Sequence, residues 1–180
     1  VLSNIVGGTP GNLELAVTIE DNDKPVASIT PVEKTVLEDA GQVSFDVVLD
    51  QAGVVPLTVD YATQDDSALA GPDYTATIET LTFAPGETSK LIIVPIINDA
   101  IIELDERFEV NLSNIVNGDA GALNASVVIE NEDFPTVNVT PSETTVGENV
   151  DTIDLTVVLD QAGLDPVALN FSTQSDSAAP

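Results

Sequence analysis

The sequence contains no cysteine, histidine, methionine or tryptophan, and its basic residues number only 4, Lys24, Lys34, Lys90 and Arg107. Each absence removes a class of chemistry. Without His or Cys there is no imidazole base, no thiolate nucleophile, no zinc or iron–sulfur site of the usual kind and no disulfide. Any metal held here must accept oxygen ligands. Four scattered cations cannot form the basic stripe that displaces counterions from phosphate, so nucleic acid and anionic membranes are excluded as partners. No run approaches the roughly 18 apolar residues that cross a bilayer and no basic-then-apolar leader opens the sequence, so direct membrane insertion is not expected.

Acid is what the sequence has instead: 31 Asp and Glu give a formal net charge of -27. Such a charge commonly accompanies disorder, but 43% hydrophobic residues are too many for a solvated acidic tail. The chain therefore folds despite its charge, which leans towards an extracellular or salty medium.

Self-comparison finds one dominant register, an offset of about 110 residues. Leu2-Ser3-Asn4-Ile5-Val6 returns as Leu112-Ser113-Asn114-Ile115-Val116, and Leu49-Asp50-Gln51-Ala52-Gly53 as Leu159-Asp160-Gln161-Ala162-Gly163. This predicts three parts: the C-terminal strands of one repeat over 1–23, a complete repeat over 24–133 and the N-terminal part of another over 134–180. A sequence that starts and stops in mid-repeat is expected to be a window on a longer array; an ancestral repeat with irregular ends is the alternative.

Within the unit, apolar residues alternate at period two in Val43-Phe45-Val47-Leu49, Leu57-Val59-Tyr61, Phe108-Val110-Leu112 and Leu123-Ala125-Val127-Ile129. Leu81 and Phe83 mark another strand, Leu91 to Ile97 one with Pro95 at an edge or bulge, and Val26 to Val36 a first strand broken at Pro31. Turn signals at 51–53, 84–87 and 117–119 separate them, and no amphipathic helix of ten residues is evident. Seven alternating strands in about 110 residues predict an all-β fold of tandem immunoglobulin-like antiparallel sandwiches. Phe45, Tyr61, Phe83, Phe108 and Phe171 fall on inward positions and are expected in the core, leaving Tyr74 and Phe134 as contact residues, with junction packing favoured for Phe134.

If successive strands alternate direction, the first-to-second, third-to-fourth and fifth-to-sixth connections share one pole with the end of the seventh strand. That pole collects Glu38, Asp39, Asp65, Asp66, Asp73, Asp99, Glu103, Asp105, Glu106, Glu130, Glu132 and Asp133, whereas the other receives little beyond Asp50, Glu87 and Asp119. Two like charges about 6 Å apart repel by roughly 0.7 kcal/mol even in water. A hard divalent cation is the natural counterion, and Ca²⁺, which takes six to eight oxygens from flexible loops, suits better than Mg²⁺. The alternative is a merely acidic, soluble pole. An EF-hand loop is absent, so ligands must converge from separate loops.

Four segments, LEDAG around Glu38, TQDDSALAGPDY from Thr63, PIINDAIIELDERFEVNLSN from Pro95 and VIENED ending at Asp133, together make the unit resemble a Calx-beta domain. That family occurs in sodium/calcium exchangers and in tandem bacterial-type surface proteins. The resemblance implies Ca²⁺ ligation by Glu38, Asp65, Asp99, Glu103, Glu106, Glu132 and Asp133, with the Ile101 carbonyl as a backbone ligand. Asn98, Ala100 and Asn131 depart from the exchanger pattern, which implies fewer or weaker sites. The flanking partial repeats keep Asp21 and Asp23 on one side and Glu148 and Asp176 on the other, with Ser175 replacing the counterpart of Asp65.

The expected function is a non-enzymatic, calcium-binding structural or adhesive repeat at the cell surface, with Ca²⁺ stiffening the junctions between neighbouring repeats of the same chain. Self-assembly into fibres and adhesion to a surface ligand are the partner interactions this implies. The alternative is a calcium-sensing regulatory domain of a transporter or signalling protein. A glycosidase using paired carboxylates fits less well, because no candidate acid has an apolar pocket. Asn-x-Ser/Thr triplets at Asn111, Asn124, Asn138 and Asn170 are what a chain rich in these residues yields by chance.

Overall fold

The computed structural model describes residues 6–8, 11, 16–20 and 22–174. Most of residues 1–23, including Asp21, and also Ser175 and Asp176 lie outside the described residues. From Val26 to Glu130 the chain forms an immunoglobulin-like β-sandwich. Its strands are β1 (Val26–Pro31), β2 (Thr35–Leu37), β3 (Gln42–Leu49), β4 (Leu57–Asp65), β5 (Ile78–Phe83), β6 (Ser89–Pro95), β7 (Glu106–Val116), β8 (Asp119–Ala120) and β9 (Asn124–Glu130). One sheet runs in the order β6-β3-β1-β8 and the other β2-β9-β7-β4-β5.

The period-two pattern dictates this arrangement. Val43, Phe45, Val47 and Leu49 of β3 face Leu57, Val59 and Tyr61 of β4 and Phe108, Val110 and Leu112 of β7 across one core, all buried. Phe108 lies at its centre, edge-on to Phe45 with centroids 6.1 Å apart and stacked on Tyr74 at 4.3 Å. The first strand breaks as expected. After Pro31 it leaves β3 and, as β2, pairs in parallel with β9, so the two pieces lie in opposite sheets. Pro95 ends β6, the outer strand of its sheet, where its missing N–H costs no ladder bond. The two-residue β8 arises in the expected turn after Gly118 and pairs in parallel with β1. Gly121 follows because a Cβ there would lie 2.2 Å from the Ser28 Oγ and 3.0 Å from the Ala27 carbonyl oxygen.

Two expectations about aromatics are corrected. Tyr74 is only 1% exposed, because it drops from the 66–77 loop onto Phe108 and bridges to Ala70 and Ile96; it is a core plug rather than a contact residue. Phe171, the counterpart of buried Tyr61, is 79% exposed. Beyond Glu130 the described strands are β10 (Val137–Pro141) and β11 (Leu155–Leu159), a hairpin whose register repeats that of β1 and β3, with no described strand covering Phe171.

Phe108→Ala should destabilise the sandwich by about 3–5 kcal/mol in denaturant unfolding, since it removes the ring that two others pack against. Ile93→Ala, on the outer face of β6, should cost less than about 0.5 kcal/mol.

Candidate metal centre

Four chain segments deliver carboxylates to one end of the sandwich. The first is a single 3-10 turn, Glu38–Ala40, that β2 enters directly and that Gly41 terminates at φ 74°, a left-handed conformation that glycine adopts without steric cost. The turn tucks Glu38 inward, and it is the one charged side chain in the buried set of the described residues. Its N–H donates to Glu132 Oε2 at 3.1 Å and its own Oε1 accepts from the Asp99 N–H at 2.8 Å. Glu38 thus ties together the segments after β2, β6 and β9.

The second segment, 66–77, is pinned by Tyr74. The Tyr74 hydroxyl donates to Asp65 Oδ1 at 2.5 Å, and the Ala70 N–H donates to the same oxygen at 2.9 Å. These two donors hold the Asp65 carboxyl below the ordinary aspartate range, while burial and the Asp65 charge push the Tyr74 phenol up to about 12. Asp73 Oδ2 accepts from the Leu69 N–H at 2.6 Å. In the third segment, 96–105, the Ile101 N–H donates to Asp99 Oδ1 at 2.7 Å, folding an Asx turn that aims the loop back at the pole. The Glu103 N–H donates to Asn131 Oδ1 at 3.3 Å, joining this loop to the fourth segment, 131–133.

Convergence is tightest at Asp73, Glu103 and Glu106, whose carboxylates each offer an oxygen within 4.8 Å of the others. A cavity of about 10 Å³ lies among Glu38, Asp73, Glu103, Glu106 and Asn131, the room of one water-sized sphere. Burial, a hydrogen bond with Asp73 and the charges of Asp73, Glu103 and Glu38 push the Glu106 carboxyl up to about 7. Burial also raises Glu38, partly offset by the Asp99 N–H and reinforced by the charges of Asp99, Glu132 and Asp133; Glu103 is raised by burial, Asp73 and Asp99. Asp133 Oδ2 is buried without a hydrogen-bond partner. These are the marks of a site short of positive charge, and chemically it can hold a hard cation in an oxygen cage.

The structure places the sequence candidates unevenly. Glu38, Asp99 and Glu132 are hydrogen-bonded to one another's segments, and Glu103 and Glu106 share the three-carboxylate group. Asp133 sits behind Asn131, whose Nδ2 donates to the Asp133 carbonyl at 3.3 Å. Asp65 is held by Tyr74 and Ala70 and is not a member of that group, and Ile101 supplies its N–H to Asp99. Asp73 belongs to the pole by strand parity but lies outside the ligand set that the family pattern implies. No periodic signal marks it, because its loop is fixed by the burial of the adjacent Tyr74. Asp66 is drawn away by Arg107, whose Nε donates to Asp66 Oδ2 at 2.6 Å.

Residues 20–133 and 130–180 each match the family profile described as "Calx-beta domain". Sodium/calcium exchanger 2 of Mus musculus is 40% identical over 112 residues, 62% of this chain but 12% of that protein. Sodium/calcium exchanger 1 of Felis catus is 41% identical over 110 residues, covering 56% and 11%. The chain therefore spans about an eighth or less of the length of these relatives. Among solved structures, the apo-form Calx CBD1 domain superposes with TM-score 0.55 at 28% identity, covering 60% of this chain and 99% of that one. The calcium binding domain CBD12 of CALX1.1 gives 0.53 at 31% identity, covering 58% and 44%.

The raised Glu106 carboxyl sets a pH dependence for the metal-free protein. A carboxyl raised from the ordinary value of 4.5 to about 7 on folding contributes stability that is present below pH 4.5 and lost as pH rises through 7. In chelator, the melting temperature should fall between pH 5 and pH 8, and Glu106→Gln should flatten that slope and raise the melting temperature at pH 8. A profile in which parent and variant run parallel would show that Glu106 carries no such strain.

Proposed function

This chain belongs to the Calx-beta domain family, and on that premise we propose that it is a calcium-binding regulatory module whose acidic pole takes up Ca²⁺ and transmits its presence to the neighbouring unit. The observation that carries this reading is the approach of Asp73, Glu103 and Glu106 to within 4.8 Å around a one-sphere cavity, beside the buried carboxyl of Glu38. Like charges so placed repel by about 1 kcal/mol per pair in bulk water and several times more at a dielectric near 20. A divalent cation converts that repulsion into attraction. The oxygen-only donor set fits Ca²⁺, and the residues that would hold it are Glu38, Asp73, Asp99, Glu103 and Glu106. Glu132, Asp133 and the Ile101 carbonyl would complete the shell, and Asp65 would stand at the rim. No nucleophile or general base is assigned, and the module acts by binding.

Without metal, the carboxylates that loops 66–77, 96–105 and 131–133 bring together repel one another; Ca²⁺ turns that repulsion into attraction to one centre, and the residues leading into the next unit stiffen with it. Similarity to sodium/calcium exchangers favours a calcium-sensing role within a transporter or signalling protein over a fibre. Asn98, Ala100 and Asn131 stand where the exchanger pattern has acids, so affinity is expected below that of the full acid set, and a value in the roughly 0.1–1 mM range of extracellular modules would favour the fibre.

A second reading, an extracellular structural or adhesive repeat with calcium-stiffened joints and lateral assembly into fibres, is favoured by the 110-residue periodicity and the recurrence of the β1–β3 register in β10–β11. The number of units in the full-length gene separates the two. One or two beside membrane spans or a catalytic domain supports the sensor, and a long uninterrupted run supports the stalk.

Thermal unfolding in millimolar CaCl₂, in equal MgCl₂ and in chelator tests the metal itself. Calcium at a hundred times its dissociation constant should stabilise the fold by about 2.7 kcal/mol, with a smaller effect of magnesium. Asp73→Asn and Glu38→Gln should each weaken calcium binding at least tenfold in calorimetric titration. Equal melting in the three buffers would reduce the pole to a solubility feature.

A further inference from the structure

The turn that follows β11 makes a contact across the joint between units. Gln161 Nε2 donates to the Ala100 carbonyl at 3.0 Å, and Ala100 lies between Asp99 and Ile101 in the metal-pole loop. The two sides enclose a cavity of about 800 Å³ whose walls include Glu103, Leu104 and Asp105 of one unit, Phe134 at the crossing, and Leu164 and Asp165 of the next. Phe134 lines this joint but is 82% exposed, so the junction packing expected of it is not found.

The turn is rigidly tied to its own unit. Asp160 Oδ1 accepts from the Thr136 N–H at 2.7 Å and from the Gln161 N–H at 2.8 Å, and a Cβ on Gly163 would lie 3.2 Å from Pro135 Cγ. The complete unit repeats this bracket: Asp50 Oδ1 accepts from the Val26 N–H at 2.8 Å, and a Cβ on Gly53 would lie 3.5 Å from Pro25 Cγ. Between the turns Asp50-Gln51-Ala52-Gly53-Val54-Val55-Pro56 and Asp160-Gln161-Ala162-Gly163-Leu164-Asp165-Pro166, the one change of charge is Asp165 for Val55. It places a fourth carboxylate on a cavity that Glu103, Asp105 and Asp133 already line.

We propose that this turn is the docking element between consecutive units, with Gln161 latching it to the Ala100 carbonyl and Asp165 making the latched arrangement depend on a cation at the metal pole. The inference rests on the calcium reading and adds to it the residues that carry the signal across the joint. Because the turn is fixed to its entry proline, movement of the 96–105 loop is passed to the whole following unit rather than absorbed locally. By the same repeat, Gln51 presents the equivalent latch towards a preceding unit. One surface hydrogen bond shifts a docked–undocked equilibrium by about fivefold, enough to set the spread of angles at a joint of two short strand connections.

The chain has no cysteine, so Ser113→Cys on β7 and Thr140→Cys on β10 give a unique spin-label pair across the joint. Dipolar distance measurements on the full chain should give one narrow distribution in calcium and a broad one in chelator. Gln161→Ala should raise the undocked fraction in calcium about fivefold and, by reciprocity, weaken the calorimetric calcium midpoint by no more than that factor. Asp165→Val should narrow the distribution in chelator. A Gln161→Ala chain that binds calcium normally and keeps the parent's narrow distribution overturns the latch, and an Asp165→Val chain as broad as the parent in chelator overturns the role of that charge. If the parent takes up no calcium at all, the titration shows it directly: the metal reading falls and the cation dependence of docking falls with it.

Discussion

Repulsion among carboxylates that the fold holds together is the constraint on which the acidic pole depends. Asp73, Glu103 and Glu106 are held near one another because Glu106 opens β7, Asp73 adjoins the buried Tyr74, and the Glu103 N–H is bonded to Asn131. The described ion pairs are Lys90–Glu87 and Arg107–Asp66, and neither neutralises that group. Burial of Ile, Val, Leu and Phe on two facing sheets therefore supports, against electrostatic cost, a geometry that a proton on Glu106 or a bound cation would relax. This is a division of labour familiar from metal sites built on rigid scaffolds: apolar packing fixes where the oxygens are, and the ion supplies the missing attraction.

Tyr74 and Glu38 are the two residues through which packing and charge communicate. Tyr74 stacks on Phe108 in the core and presents its hydroxyl to Asp65, so the 66–77 loop inherits the rigidity of β7. Glu38 is a buried carboxylate that accepts from one loop and donates through its backbone to another. A change at either would disturb both stability and the site, whereas changes at Asp66, paired to Arg107 at the surface, are separable from it.

Much of the sandwich was legible in the sequence because alternation of apolar residues reports one buried face directly, and each run so identified became a strand. The break at Pro31 and the edge position of Pro95 were legible for the same reason, since proline removes a donor wherever it stands. Phe171 was misjudged because an inward phase on a strand says nothing about whether an opposing sheet is present. Tyr74 was misjudged because it sits in a loop, where periodicity gives no phase at all. Asp73 lost its place among the expected ligands through the same blindness: its loop is ordered by a ring contact between residues 34 apart in sequence, numbers 74 and 108.

By itself the sequence determined the class of chemistry and the fold that carries it. Absent imidazole and thiol leave oxygen as the donor for any metal, 31 acids outnumber 4 bases, and strand parity sends many of the acids to one end. Those properties follow from composition and period, which every folded state of this chain must respect. Only the tertiary structure decided which carboxylates meet within 4.8 Å, which one is removed by Arg107, and that the turn at Gln161 reaches back to Ala100 across 61 residues. These depend on distances between loops distant in sequence, and such distances are set by side-chain packing and backbone hydrogen bonds that no local pattern encodes.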